Sequence, residues 1–103
     1  MIVGVGSDAS CGEYKRIPII PFEQRMEIIS ALKGVNEVIE APSYPDEQFY
    51  KTHRIDLHCQ GEDNQGMNFY ETAKGLGIMC FTGRQQIEST SEIIKRIRAS
   101  QCV

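Results

Sequence analysis

Ser89, Thr90 and Ser91 stand directly before Glu92 and the apolar residues Ile93, Ile94 and Ile97. Hydroxyl groups in that position head a helix, where unpaired backbone N–H groups and the helix dipole favour an anion such as phosphate. The same Ser-x-x-Glu spacing is a capping box that requires no ligand, so both readings stand. Arg84 lies shortly before and either forks onto a phosphate or pairs with Glu88 at the surface. Glu62 and Asp63 follow an apolar segment. Carboxylates there bind a base, an ammonium group or Mg2+ through water, or simply solvate a polar turn. Asp8, after the first apolar run, has the same two readings. His53 and His58 lack any partner at metal-ligand spacing and read as structural.

The elements that must position these residues alternate. Ile2 to Val5 is a short strand closed by Gly6-Ser7-Asp8, and residues 9–20 read as irregular. Pro21 opens a helix in which Phe22, Met26, Ile29 and Leu32 recur at helical spacing, with Gly34 as its stop. Val35 to Ile39 is a second strand, Ala41 to Pro45 a turn, and Asp46 to His53 a short helix with Phe49 and Tyr50 turned inward. Ile55 to Cys59 is a third strand, Gln60 to Gly66 a polar loop, Asn68 to Leu76 a helix and Ile78 to Phe81 a fourth strand. Ser89 opens the last helix, with Ile93, Ile94 and Ile97 as its buried stripe. The order β-α-β-α-β-α-β-α predicts an α/β fold, a Rossmann-like parallel sheet flanked by helices. In such sheets ligands sit beyond the carboxyl ends of the strands, which is where the chemical candidates lie.

Composition narrows the function classes. With 41% hydrophobic and 24% charged residues, the 103-residue chain fits one globular domain with one core. A formal net charge of -3 argues against a broad grip on nucleic acid or anionic membrane, so any phosphate site must be local. Cys11, Cys59, Cys80 and Cys102 are widely spaced, which suggests neither a zinc site nor a disulfide scaffold. Reduced thiols in a cytoplasmic protein are the simplest expectation. No apolar run is long enough for a membrane span, and no signal peptide is seen.

The strand-end loops, read in order, carry a series of motifs: Gly6-Ser7-Asp8, Tyr14-Lys15-Arg16, Pro21-Phe22-Glu23-Gln24-Arg25, Val38-Ile39-Glu40-Ala41-Pro42, Gln60-Gly61-Glu62-Asp63, and Arg84 followed by Glu88-Ser89-Thr90-Ser91-Glu92-Ile93-Ile94-Lys95-Arg96-Ile97. The series resembles the CTP:phosphocholine and CTP:phosphoethanolamine cytidylyltransferases of the nucleotidyltransferase superfamily. Their corresponding signatures are G-V-x-S-D, Y-K-G or Y-K-R, P-F-E-E-R, V-D-E-V-I-x-x-A-P-W, I-D-F-V-x-H-G-D-D and R-T-E-G-I-S-T-S-D-I-I-x-R-I.

That resemblance implies transfer of CMP from CTP, with Mg2+, to a phosphorylated amino alcohol, releasing pyrophosphate. It implies Lys15 as the catalytic cation, and Asp8, Glu62, Asp63, Arg84, Ser89, Thr90 and Ser91 as nucleotide- or substrate-binding residues. A homodimer is a further expectation from the resemblance. The chain departs from the family in four places, one being that R-T-E-G-I-S-T has become Arg84-Gln85-Gln86-Ile87-Glu88-Ser89-Thr90, which keeps the Arg and the hydroxyls and loses the Gly. The family opens with a strand leading to H-x-G-H, whereas only His53 and His58 occur here; Ser43 stands where the family has Trp; and Gln60-Gly61-Glu62-Asp63 replaces H-G-D-D. The absent strand lies in the family between the first and third strands found here. We therefore expect an incomplete cytidylyltransferase-like domain without useful turnover as the isolated chain. The alternative is a non-catalytic nucleotide-sensing or dimerisation module derived from that fold.

Overall fold

A computed structural model describes residues 1–13, 16–62, 66, 68–83 and 89–100. The α/β class and the parallel strand direction are as expected. The elements, in order, are β1 (Ile2–Val5), α1 (Asp8–Gly12), α2 (Phe22–Ser30), β2 (Glu37–Glu40), α3 (Glu47–Thr52), β3 (His58–Gly61), a 3₁₀ turn (Asn68–Tyr70), α4 (Glu71–Leu76), β4 (Met79–Thr82) and α5 (Thr90–Ala99). They form two separate two-stranded parallel sheets. In one, β1 pairs with β2, Ile2 opposite Glu37 and Val5 opposite Glu40. In the other, β3 pairs with β4, His58 opposite Met79 and Gly61 opposite Thr82.

The first sheet is tied to α2 by Asp8. Its carboxylate accepts from Arg25 Nη2 at 2.6 Å and from the Phe22 backbone N–H at 3.4 Å. Pro21 offers α2 no side-chain cap, so Asp8 supplies one across the intervening loop. Given its partial exposure, the ion pair contributes on the order of 1 kcal/mol. At the other side of this sheet the chain leaves β2 in close contact with β1. A Cβ placed on Gly4 would lie 2.8 Å from Ala41 Cβ, which leaves room for glycine alone.

The second sheet packs one face on an aromatic cluster. Tyr50, from α3, is 3% exposed and its hydroxyl lies 2.8 Å from His58 Nδ1. Tyr70 meets His58 and Phe81 edge-on, with centroids 5.5 Å and 5.9 Å away. Burial raises the Tyr50 pKa, followed by the charge of Tyr70, so its hydroxyl keeps its proton at neutral pH while hydrogen-bonded with His58 Nδ1. Burial lowers the His58 pKa in turn.

Several expectations need correction. Residues 9–20 are not wholly irregular: Ser7 accepts from the Ser10 N–H and caps α1. The third strand begins at His58 rather than Ile55, because the Ile55 N–H is committed to Tyr50 O in the turn closing α3, where Arg54 takes φ 53°. The second and fourth strands also sit one or two residues later than their apolar runs suggest. The last helix is capped by Ser89 as expected, but its stripe is not buried: Ile93 is 43% and Ile97 67% exposed. Large apolar side chains are exposed elsewhere too, including Ile28, Leu32 and Leu57. The radius of gyration is 15.5 Å, against about 13 Å for a compact chain of this length.

Two outcomes follow. Gly4→Ala should lower unfolding free energy by ~1–3 kcal/mol in urea titration, and Ala41→Gly should restore part of the loss by opening the contact. Because the folded His58 pKa lies below its ordinary 6.5, the unfolded chain binds the proton first as acid is added. Stability is then fully present above pH 6.5 and falls as pH drops through the folded value. The thermal midpoint of wild type should decline over that window, and His58→Gln should flatten the decline.

Candidate nucleotide site at the strand ends

A cleft of about 730 Å3 separates the two sheets. Met1 to Gly4 of the first sheet border it on one side and His58 to Gln60 of the second on the other. Among the described residues β4 contributes nothing to its walls and β2 only Ile39, so the edges facing the cleft belong to β1 and β3. Among the described residues each of these strands has one strand partner, which leaves one edge of each without a ladder.

The carboxyl end of β1 leads through Gly6, on the cleft wall, to Ser7 and Asp8. The carboxyl end of β3 leads through Gln60, also on the wall, to Gly61 and the exposed Glu62. Each turn lies at the carboxyl end of its own parallel pair, the end where ligands of open α/β sheets are held.

The individual candidates differ in how free they are for a ligand. Asp8 is engaged by Arg25 and Phe22, and this lowers its availability to a substrate cation. Ser89 accepts from the Glu92 N–H at 3.2 Å, completing the cap, while Thr90 and Ser91 lie exposed in the first turn of α5. None of Asp8, Glu62, Ser89, Thr90 and Ser91 lines the cleft itself. Lys15, Asp63 and Arg84 fall outside the described residues. Arg54 and Asp56, between α3 and β3, do border the cleft. Asp56 falls under the I-D that opens the signature I-D-F-V-x-H-G-D-D, a signal that was available in the sequence, whereas Arg54 lies outside every motif and becomes a wall residue only once two distant strands are apposed. No three His, Cys, Asp or Glu side chains gather among the described residues.

No family model matches the chain. It is 29% identical over 102 residues to the ethanolamine-phosphate cytidylyltransferase of Mus musculus, covering 94% of this chain and 25% of that protein. Against the Arabidopsis thaliana enzyme of the same name the identity is 32% over 106 residues, covering 94% and 25%. The FAD synthase of Methanopyrus kandleri is 31% identical over 106 residues, which covers 94% of this chain and 70% of that protein. The chain thus spans about a quarter of the length of the first two relatives. Matched along nearly its whole length by these relatives, the chain belongs to the nucleotidyltransferase family that includes this FAD synthase together with the ethanolamine-phosphate and choline-phosphate cytidylyltransferases.

Proposed function

We propose that these residues are the larger part of a cytidylyltransferase domain that moves CMP from CTP to phosphocholine or phosphoethanolamine, with pyrophosphate leaving. The observation that carries this reading is the cleft bordered by β1 and β3. A further strand entering it in parallel would satisfy both open edges and join the two sheets into one. The loops after β1 and β3 would then flank the end of that strand, where a triphosphate is held by backbone N–H groups and local cations.

In-line displacement at the α-phosphorus needs positioning and positive charge more than covalent chemistry from the protein. Lys15 supplies that charge in this reading, and Arg84 forks onto a phosphate. Thr90 and Ser91 add hydroxyl donors at the start of α5, beside the N–H groups that Ser89 does not occupy. Glu62 and Asp63 receive the acceptor's ammonium group or the base. The chain lacks H-x-G-H, so the segment that completes the sheet must also bring the histidines.

The FAD synthase among the relatives favours a second reading, because FAD contains an adenylyl group and its synthesis would use ATP. Amide chemical shifts of the purified chain titrated with CTP and with ATP separate the two. CTP should perturb residues around Gly6 to Asp8 and Gln60 to Glu62 at concentrations where ATP does not; the reverse preference would favour adenylyl transfer. Silence toward both would leave only a non-catalytic module. With CTP and either phosphorylated amino alcohol, the chain alone should form no CDP-alcohol at an enzymatic rate, and ordinary turnover would refute the incomplete-domain reading. Once a completing segment restores activity, Lys15→Ala should reduce it by ~100-fold or more.

A further inference from the structure

The aromatic cluster occupies one face of the β3–β4 sheet, through His58 and Phe81. Side chains alternate along a strand, so Cys59 and Cys80 project from the opposite face. The parallel ladder places them directly opposite each other. Paired strands lie about 4.8 Å apart, inside the ~4.4–6.8 Å range of Cα separations that a disulfide spans. Both cysteines are free, with Cys59 exposed and Cys80 partly so. The two thiols also sense each other. Residual desolvation raises the Cys59 pKa, and the charge and hydrogen bonding of Cys80 raise it further.

We propose that Cys59 and Cys80 form a modification site, a cross-strand dithiol that a small-molecule disulfide such as oxidised glutathione closes into a reversible internal disulfide. One cysteine thiolate attacks a sulfur of the small disulfide, forming a mixed disulfide and releasing one thiol. The second cysteine's thiolate then attacks the neighbouring cysteine's own Sγ in that mixed disulfide, forming the Cys59–Cys80 bond as the bond to the small thiol breaks and that thiol leaves. The protein loses two hydrogens, and the oxidant takes up two electrons and leaves as two thiols. Side chains that stand side by side on a parallel pair keep their Cβ atoms wider apart than the ~3.8 Å mean of relaxed disulfides, which makes the bond readily reducible. Cys59 also lies on the cleft wall, but the thiol chemistry needs no nucleotide and is read out apart from the cytidylyl-transfer reading.

The test uses the full chain carrying Cys102→Ser, which removes the C-terminal thiol as a competitor, incubated with oxidised glutathione at neutral pH. Expected are the loss of two titratable thiols and of two hydrogens by mass, a peptide linking Cys59 to Cys80, and full reversal by dithiothreitol. Cys59→Ser and Cys80→Ser should each keep a single glutathione adduct instead. Stable separate adducts on Cys59 and Cys80 of the parent chain would overturn the proposal. So would closure that is no slower in urea, where the strands no longer hold the thiols together. Neither readout depends on CTP.

Discussion

A parallel sheet edge is a row of backbone donors and acceptors that only another strand, or water, can satisfy. Here two such edges, on β1 and β3, face each other across one cleft. With the sheet divided, each half has to bury its apolar face against only two or three helices. Few side chains reach full burial as a result. Val5 and Cys11 do so in one half, and Tyr50, Tyr70 and Ala73 around the other. The elongated dimensions, 50 × 28 × 27 Å, and the open stripe of α5 follow from the same division.

Within each half the structure depends on specific polar contacts more than on apolar area. Asp8 joins the end of β1 to the start of α2 through Arg25 and a backbone N–H. Tyr50 and His58 join α3 to β3 through a single hydrogen bond within an aromatic cluster. These ties also orient the strand ends. Gly6 and Gln60 both lie on the cleft wall, at or just beyond the ends of β1 and β3. Asp8, within the first motif of the series, thus also caps a helix.

Much of this organisation was legible in the residues. The Ile2–Val5 run, the Ser89-x-x-Glu92 cap, the Asp46 start of α3 and the Leu76 end of α4 are local signals, because each concerns backbone groups within a few residues of one another. The ordered motifs from Gly6 to Ile97 likewise pointed to the nucleotidyltransferase family, and the relatives bear that out. Where prediction slipped, a distant partner had changed the balance. Ile55 to Leu57 are strand-like in type, yet the turn out of α3 claims the Ile55 N–H and pairing starts only at His58. Ile93 and Ile97 have helical spacing, yet burial needs a surface to receive them.

The sequence by itself determined the kind and order of the elements, the parallel α/β class and the family, because periodicity, caps and motifs are properties of neighbouring residues. Only the tertiary structure decided that the strands stand as two pairs with a cleft between them, that Arg54 and Asp56 border it, and that cysteines twenty-one positions apart share one sheet face in register. Strand register and edge pairing arise from contacts between segments far apart in the chain. No local pattern encodes which edge meets a partner and which is left open.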